Sequence, residues 1–529
     1  MSINAVRLDI PRLPTATRVM PFVAGALTVC LFLRLMNFEL RRDEQLYVPP
    51  TRLLDDQSIY QDFFYNHTPG AAWLFHAIRR LTGSDYLLLD ARLGVFAGWL
   101  LLIGGIGAIS YALTRSYWTS WGIVVLTLAN ELFLSVTGMG ATNNFLPLPF
   151  AFLGLGLFTL AVVSTPVRSA MAAAAGLCLS LGVVFKISGV AFIFPVALAA
   201  LLLPRELAFR ERLVRVVLPL AVGGLVGALP ILFYLVSDPT GFLAHVVGWH
   251  MGPHAQYWLS GAAPDEGAVT SRAGKLTFAY EIWIGGAGSL GLVALLLLAL
   301  IRRQDPAPHR SGTGALLLLA ACAFCVGAAF SLLPTPSFPQ YFAPPLVCLP
   351  LALALLARDL SKTARAQAAA VLLCVATIAL LAQAPRLVQN LATLPHPERW
   401  AVARVHQAGV NIARHLDAAQ RRGKVATLAP LYPLEGGLPV YPELATGLFA
   451  YRTATLTPAS LASHYRMVSP AGIPALLASD PPAALLLGFE PALEKPLLDY
   501  ALSQGYQPVP DFGIVDRYGT GRLYLKPAD

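Results

Sequence analysis

Two adjacent acids, Asp43 and Glu44, are the first candidates for chemistry in this sequence of 529 residues, and they follow its first apolar run in NFELRRDEQLYVPP. Successive residues of a helix point about 100° apart, so the two carboxylates cannot occupy one helix face. One acid could act as a general base while the other orients an arginine or binds a metal ion. Tyr47 would share a helix face with Asp43. The alternative is a solvated acid pair beside Arg41 and Arg42.

A second polar motif, YNHTPGAAWLFHAIRRLTG, extends from Tyr65 to Gly83. Its Pro-Gly step begins an amphipathic pattern, which predicts a helix lying in a membrane interface. His67 precedes this step and could be a ligand, although a single histidine is more often a hydrogen-bonded or solvated residue.

A third polar region, GFLAHVVGWHMGPHAQYWLSG, contains His245, His250 and His254. His250 and His254 are four residues apart and would share one helix face, although a Gly-Pro pair between them disfavours a regular helix. Tyr257 and Trp258 follow and could stack on a sugar or an isoprenoid chain. The alternative is a set of interfacial aromatic residues that face lipid headgroups.

The elements that must position these residues follow from the composition. Hydrophobic residues form 56% of the chain and charged residues 13%, whereas soluble proteins carry about 25% charged residues. Together with a mean hydropathy of +0.61, these values exclude a soluble enzyme, a disordered chain and a fibrous repeat. They indicate a polytopic membrane protein, because about 20 apolar residues span a bilayer as a helix. The net charge of +9 does not indicate a nucleic-acid partner, because the basic residues cluster in short loops.

Eleven apolar segments are long enough to predict membrane-spanning helices. The first segment follows basic residues but is too long for a signal peptide, so we expect it to be a retained helix. The predicted spans are 18–38, 88–112, 118–136, 144–164, 168–186, 188–203, 214–236, 283–301, 313–333, 340–357 and 366–383.

The basic residues of the loops predict the orientation of the chain. With a cytoplasmic N-terminus, the short outer loops near 137–143 and 334–339 contain no lysine or arginine, which is the positive-inside pattern. Eleven spans then place three larger regions, 39–87, 237–282 and 384–529, on the outer side. The cations of the inner loops are Arg115, Arg168, Arg205, Arg210, Arg212, Arg215, Arg302, Arg303, Arg310, Arg358, Lys362 and Arg365.

The region 384–529 differs in composition from the rest of the chain. An amphipathic helix pattern around 397–420 precedes strand-like runs at 424–428, 483–489 and 522–527. We therefore predict a mainly α fold. It consists of a polytopic transmembrane helical bundle of about eleven spans with interfacial helices, followed by a small C-terminal α/β extracytoplasmic domain.

Five motifs along the chain are found in a characteristic order. The acidic pair after the first span is followed by an aromatic-x-(H/E)-x-P segment, and LLDARLGVFAG enters the second span. GVVFKISGVAFIFP at 182–195 and SFPQYFAPPLVCLPLALAL at 337–355 come later. Together they resemble the GT-C superfamily of integral membrane glycosyltransferases, in particular the bacterial branch related to 4-amino-arabinose lipid A transferase and protein O-mannosyltransferase. The resemblance implies a transmembrane catalytic domain over 1–383 and an extracytoplasmic domain over 384–529.

The resemblance also implies a reaction. The chain would be an inverting glycosyltransferase of a bacterial inner membrane, using a sugar linked to a polyprenyl phosphate. The acceptor would be an envelope lipid, glycan or protein at the outer face. A carboxylate must take the proton of the attacking hydroxyl, which is the role expected for Asp43 with Glu44.

The departing lipid phosphate gains negative charge, so cations must meet it. Lys186 is the first candidate, because an ionisable residue at the outer end of an apolar run is costly unless it is functional. The alternative is a lysine that snorkels to the headgroups. Further candidates for the phosphate are Arg41, Arg42 and Arg79.

The chain departs from the family pattern in the short loop after the third span. These enzymes usually offer an aspartate there, whereas GATNNFLPLPF supplies Asn143 and Asn144. An amide can position an acceptor or a phosphate but cannot act as a general base, so more of the chemistry falls to Asp43.

Some relatives bind a divalent metal ion between the first and second outer loops. The resemblance therefore allows a metal site made by His67 with His250 or His254, and we predict no other cofactor. The candidates for substrate binding are Tyr47, His67, Asn143, Asn144, Tyr257, Trp258 and Tyr341.

Two other functions remain open. A transporter or flippase of lipid-linked sugars should carry charged or broken-helix elements near the bilayer midplane, often in repeated halves. Here the ionisable residues lie near the outer edge and no repeat is visible. A noncatalytic assembly protein would bind partners through its C-terminal domain and would tolerate the loss of Asp43.

Overall fold

The protein is described by a computed structural model over residues 15–261, 267–306 and 312–526, so Arg310 of the predicted inner loops lies outside the described residues. The apolar runs form helices, as predicted. The first twelve α-helices are α1 Thr15–Asn37, α2 Glu44–Tyr47, α3 Pro50–Leu53, α4 Gly70–Thr82, α5 Leu87–Thr114, α6 Tyr117–Leu128, α7 Pro147–Val163, α8 Ser169–Phe185, α9 Ile193–Leu202, α10 Phe209–Arg212, α11 Leu218–Ser237 and α12 Pro239–Leu243.

The second half of the chain is also mainly helical. Its α-helices are α13 Ala255–Leu259, α14 Arg272–Tyr280, α15 Ser289–Gln304, α16 Thr313–Leu332, α17 Cys348–Leu356, α18 Lys362–Val388, α19 Ala401–Ala418, α20 Leu431–Glu435, α21 Leu448–Tyr451, α22 Ala459–Ala462, α23 Ile473–Ser479 and α24 Pro491–Ser503. Helix α4 is the predicted interfacial helix, and α19 is the predicted amphipathic helix of the C-terminal region.

The predicted spans all coincide with helices, but these helices differ in length. Among the described residues, six helical segments are long and apolar enough to cross a membrane, and the bent pair Arg272–Gly285 and Ser289–Gln304 would give a seventh. Four predicted spans form shorter apolar helices of 10–17 residues. These shorter helices are Tyr117–Leu128, Pro147–Val163, Ser169–Phe185 and Ile187–Leu202.

A break in the backbone interrupts the span predicted at 118–136. Helix α6 ends at Leu128, and a π-helical turn follows at Phe133–Thr137. Within that turn Ser135 has non-helical φ and ψ angles of −108° and −135°. The chain then enters the loop that carries Asn143 and Asn144, so the break positions two of the predicted site residues.

Helices α8 and α11 pack closely because small residues face each other. A Cβ atom on Gly223 would lie 1.8 Å from the carbonyl oxygen of Ala173, and one on Gly227 would lie 2.5 Å from that of Leu177. Only a residue without a side chain allows the two backbones to approach so closely. This contact fixes α8, whose C-terminal end carries Lys186.

The C-terminal region contains a mixed sheet in the order β1-β2-β5-β3, with β4 paired to β5. Strands β1 and β2 are parallel and the other pairs are antiparallel. The three strand-like runs of the sequence form β1, β2 and β5, whereas β3 and β4 are too short to show an alternating pattern. The strands are β1 Val425–Ala426, β2 Ala484–Leu487, β3 Gln507–Pro508, β4 Ile514–Val515 and β5 Thr520–Leu525.

A buried carboxylate joins this C-terminal region to the helical bundle. Glu435 accepts hydrogen bonds from the backbone N–H groups of Leu87 (3.1 Å) and Leu88 (2.8 Å), the first residues of α5. Nδ1 of His406 lies 2.9 Å from the same carboxylate, and the His406 ring stacks on Tyr86 at 3.7 Å. A carboxylate in this position satisfies N–H groups that lack partners within the helix and interacts favourably with the helix dipole.

Candidate active site

Asp43 is the N-cap residue of the short helix α2, in the loop after α1. Its backbone carbonyl accepts hydrogen bonds from the N–H groups of Leu46 (3.0 Å) and Tyr47 (3.2 Å), and its side chain is half-buried. The carboxylate interacts electrostatically with Lys186 and Tyr341, which come from distant parts of the chain. The fold therefore brings the predicted base close to the predicted phosphate-binding lysine.

Glu44 is fully buried and both of its carboxylate oxygens are occupied. Arg92 donates two hydrogen bonds to them, from Nε and Nη2, each 3.0 Å long. The backbone N–H groups of Arg41 and Ala141 donate two more, each 2.8 Å long. A carboxylate with four such bonds orients its neighbours and is poorly placed to accept a proton from a substrate. The structure thus gives Glu44 the orienting role that the sequence left open for one of the two acids.

Lys186 stands where α8 ends, and its extended backbone (φ −155°, ψ 128°) breaks the helix. Its Nζ donates a hydrogen bond of 2.6 Å to Oδ1 of Asn144. The ammonium also lies 4.5 Å from the centre of the Tyr341 ring, in cation–π geometry. Three residues predicted to bind substrate therefore meet at one point.

Tyr47 links the two asparagines to the histidines. Its hydroxyl donates a hydrogen bond of 2.7 Å to Oδ1 of Asn143, and its ring stacks on His67 with centroids 4.9 Å apart. The ring of His67 lies 5.1 Å from that of His250, whose Nε2 is 2.8 Å from the carbonyl oxygen of Asn66. Desolvation lowers the pKa of His67 and brings the pKa of His250 to about 4, so both rings are neutral at pH 7.

The geometry does not support the metal site predicted from His67, His250 and His254. Among the described residues, no group of three or more His, Cys, Asp or Glu side chains is arranged to hold a metal ion. The rings pack on their neighbours instead of directing nitrogens to one point: His254 stacks on Trp249 with centroids 4.3 Å apart, and the rings of His250 and His254 are perpendicular. His250 also uses Nε2 on the carbonyl of Asn66. These three residues, as arranged, do not fit a metal ion.

The loops around Lys186 contain several buried polar atoms that have no hydrogen-bond partner within the described structure. Leaving such a group without a partner costs about 1–3 kcal/mol, so each one calls for an explanation. A polar ligand would supply the missing partners. These atoms are Asn66 Oδ1, the Thr68 hydroxyl, Asn143 Nδ2, His254 Nδ1 and Trp258 Nε1.

The predicted arginines have other partners. Arg42 forms an ion pair of 2.5 Å with Glu490 of the C-terminal region. Arg79 pairs with Asp55 at 2.8 Å, within the first loop and α4. Arg41 directs its guanidinium over the ring of Phe38, and burial and the nearby charge of Arg517 lower its pKa. The structure does not gather these arginines around Lys186.

Tyr257 and Trp258, predicted to stack on substrate, are both buried in α13. The Trp258 ring meets Phe338 edge to face at 5.7 Å, and Phe338 meets Tyr341 at the same distance. Arg452 of the C-terminal region lies over this aromatic wall, 5.1 Å from the centre of Tyr257 and 5.0 Å from that of Trp258.

Two charged residues that shape this region, Arg92 and Arg452, are not among the residues predicted from the sequence. Arg92 is fully buried in α5. A cation inside an apolar run is costly unless it is paired, so its position was a signal for a buried acid partner. The sequence around Arg452 contains no comparable indication, because this region has many charged residues. Arg452 is brought to Tyr257 and Trp258 only by the tertiary fold.

No protein-family model matches this chain, and no curated protein matches it. Several solved structures do match this chain. ArnT from Cupriavidus metallidurans in the apo state aligns at a TM-score of 0.63 and 16% identity, covering 96% of this chain and 98% of ArnT. The same enzyme bound to undecaprenyl phosphate aligns at 0.60 and 15% identity over the same shares. The apo oligosaccharyltransferase of Archaeoglobus fulgidus has a TM-score of 0.44 and 13% identity, over 96% and 74%. This chain therefore has the fold of ArnT.

Proposed function

We propose that this chain is an inverting glycosyltransferase that moves a sugar from a polyprenyl-phosphate donor to an envelope lipid, glycan or protein. The observation that carries the proposal is the electrostatic interaction of Asp43 with Lys186, whose Nζ also contacts Asn144 and the Tyr341 ring, in a chain with the ArnT fold. An ArnT structure is bound to undecaprenyl phosphate, which supports a polyprenyl phosphate as the lipid carrier here.

In this proposal Asp43 is the general base. An acceptor hydroxyl attacks the anomeric carbon from the side opposite the phosphate, so the new bond forms with inversion. The hydroxyl proton passes to the Asp43 carboxylate as the bond forms. Asn143, with its buried Nδ2, and Tyr47 supply hydrogen bonds that orient the sugar or the acceptor.

Lys186 stabilises the leaving group, which is the phosphate of the lipid carrier. The bond between the anomeric carbon and the phosphate oxygen breaks, and its electron pair remains on that oxygen. The phosphate thus changes from a singly charged diester to a doubly charged monoester, and an ammonium held beside it stabilises the developing charge. Asn144 fixes the position of Lys186 by accepting its hydrogen bond.

We assign the reaction to the outer face of a bacterial inner membrane. The absence of lysine and arginine from the short loops 137–143 and 334–339 supports a cytoplasmic N-terminus. Residues 1–383 then form the transmembrane catalytic domain, and residues 384–529 form an extracytoplasmic domain that closes over the first loop.

The variant Asp43→Asn tests this proposal, with Asp56→Asn as the matched control because Asp56 is an exposed acid of the same loop. Envelope glycolipids and glycoproteins are compared by mass spectrometry in cells that carry each form. Asp43→Asn should lower the amount of glycosylated product at least about 100-fold, the usual scale for loss of a general base. Asp56→Asn should leave it unchanged.

Near-normal product from Asp43→Asn would contradict the enzyme proposal. A transporter would give a different pattern: lipid-linked sugar would change sides of the membrane, and no new glycosidic bond would depend on this chain.

A further inference from the structure

We infer that Trp99 and Arg34 are positioning residues: they hold the loop 130–144, between α6 and α7, so that Asn144 fixes the ammonium of Lys186. Both residues belong to helices that are long and apolar enough to span a membrane. The inference rests on the proposed function only for the use that Lys186 serves in the reaction. It extends the site to two side chains that act through another residue.

The loop 130–144 packs against the middle of α5. Trp99 lies near the middle of this helix, about 18 Å along its axis from Leu87. Its ring stacks on Phe145 with centroids 4.5 Å apart, and its Nε1 donates a hydrogen bond of 2.8 Å to the carbonyl oxygen of Gly138. A Cβ atom on Gly138 would lie 2.9 Å from Cζ2 of Trp99, so only glycine lets the loop approach this closely. Backbone groups at such a depth need partners from the protein, because the bilayer core contains no water.

Arg34 of α1 supplies such partners where the span breaks. The non-helical angles at Ser135 interrupt the helical hydrogen-bond pattern. Arg34 donates hydrogen bonds from Nε (2.9 Å) and Nη2 (2.6 Å) to the carbonyl oxygen of Leu134, and from Nη1 (3.0 Å) to that of Arg386. Only 6% of Arg34 is exposed. A cation buried in a span is costly, and its hydrogen bonds to these carbonyls account for it here.

A third anchor comes from Glu44, which accepts a hydrogen bond of 2.8 Å from the backbone N–H of Ala141. The loop is thus held at three points, by side chains of α1, α2 and α5, shortly before Asn144. Asn144 then accepts the hydrogen bond of 2.6 Å from Nζ of Lys186. The position of the amide oxygen is therefore set by three helices, and the loss of one anchor should let it move away from Lys186.

The position of the Lys186 ammonium depends strongly on this one hydrogen bond. A lysine side chain is long and flexible, and its charge can occupy many places unless a partner holds it. The Tyr341 ring, 4.5 Å from Nζ, restricts it less sharply because a cation–π contact tolerates displacement across the ring. A shift of about 1 Å in a group that acts on a reacting bond lowers the rate markedly.

The rate at which Lys186 is acylated tests this inference without any substrate. Purified full-length protein is treated in detergent with a water-soluble N-hydroxysuccinimide ester, and mass spectrometry follows the labelling of each lysine. Only a free amine reacts, so an ammonium that donates a hydrogen bond is protected. Lys495, which is exposed beside Asp499, serves as the internal reference in the same sample.

The variants separate the N–H group of Trp99 from its ring. Trp99→Phe removes the donor to Gly138 and keeps an aromatic ring against Phe145. It is measured alone and combined with Asn144→Ala. The matched control is Trp400→Phe, because Nε1 of Trp400 also donates to a backbone carbonyl, 2.9 Å away, but far along the chain from this loop.

Asn144→Ala should speed the acylation of Lys186 about tenfold, the scale of one charged hydrogen bond, and Trp99→Phe about threefold or more. The double variant should react no faster than Asn144→Ala, because Trp99 acts through Asn144. Trp400→Phe should react as the wild type does.

Unchanged acylation of Lys186 in Trp99→Phe would overturn the inference. An equal gain from Trp99→Phe with and without Asn144 would overturn it too, because a residue with a merely structural role would act independently of that amide. If Trp99→Phe does not fold, Arg34→Lys decides. It keeps the charge but loses the two-pronged contact with Leu134, so faster acylation supports the inference and an unchanged rate overturns it.

Failure of the proposed function would look different. Near-normal product from Asp43→Asn would contradict the enzyme proposal, while the acylation rates would still show how Lys186 is held. Conversely, unchanged acylation would remove Trp99 and Arg34 from the site and leave the result for Asp43→Asn in force.

Discussion

The pocket around Lys186 and the domain contact around Glu435 both bury polar groups, but they use hydrogen bonds differently. At the contact, Glu435 accepts bonds from two N–H groups of α5 and lies beside His406. In the pocket, Asn143 Nδ2 and the Thr68 hydroxyl are buried without a partner in the described structure. The contact is completed by the protein itself, whereas these two groups around Lys186 find no partner among the described residues. Variants of groups that are hydrogen-bonded within the protein, as at Glu435, should therefore lower stability. Variants of the groups around Lys186 should lower the affinity for substrate.

Glu44 lies near Lys186, but its carboxylate is fully hydrogen-bonded within the protein, as that of Glu435 is. Its substitution should have the largest effect of the variants considered, and the effect is on stability. Glu44→Gln leaves the buried guanidinium of Arg92 without its counter-ion. Breaking such a pair should lower the free energy of unfolding by about 3–5 kcal/mol, measured by denaturant unfolding in detergent. The control Glu39→Gln removes an exposed acid and should change it by about 1 kcal/mol or less. Near-wild-type stability of Glu44→Gln would show that this carboxylate is not an anchor.

Lys186 is the corresponding test on the pocket side. Lys186→Ala should raise the Michaelis constant for the donor about 10- to 100-fold, or slow departure of the phosphate, since a charged hydrogen bond is lost. The Michaelis constant for the acceptor and the free energy of unfolding should change little. Lys186→Arg should keep part of the activity, because the charge remains while the geometry changes. Wild-type kinetics in Lys186→Ala would indicate a lysine that merely snorkels to headgroups.

Substitution of Glu435 should have the smallest effect, which is a change in how stability depends on pH. Burial raises the pKa of Glu435 above its ordinary 4.5, against the opposing influence of the His406 hydrogen bond. The folded state then holds this proton more tightly than the unfolded state, so stability falls as the pH rises from about 4.5 through the folded pKa. Glu435→Gln lacks this titration, and its thermal unfolding midpoint should vary less with pH. Parallel pH profiles for both proteins would contradict this assignment.

Much of the fold follows from the sequence because its cause is local. Long apolar runs give helices, whereas strands β1, β2 and β5 come from short strand-like runs between turns. Lys186 stood out for the same reason, as a charge that interrupts an apolar run. Such a residue can be recognised in the sequence because the bilayer makes isolated charges costly.

The partners of the charged residues could not be predicted in this way. Arg42 was assigned to the phosphate, yet Glu490 lies 2.5 Å from it in the structure. Those two residues are far apart in the chain, and neither shows in its local sequence that it belongs to a contact. The histidines failed as a metal site for a related reason: spacing can put two rings on one face, but the packing of Trp249 decides where the nitrogens point.

The attachment of α5 at its first turn also has a consequence for the order of assembly. Glu435 holds the N-terminus of this helix, and Arg92, little more than one turn further along, holds Glu44 and with it the turn that begins at Asp43. Glu435 is translated after α18, which ends at Val388. A nascent chain whose membrane segments are already inserted thus has its acids but lacks part of what fixes them. We therefore expect a chain truncated before Glu435 to be inserted but to lack the contact that holds the start of α5.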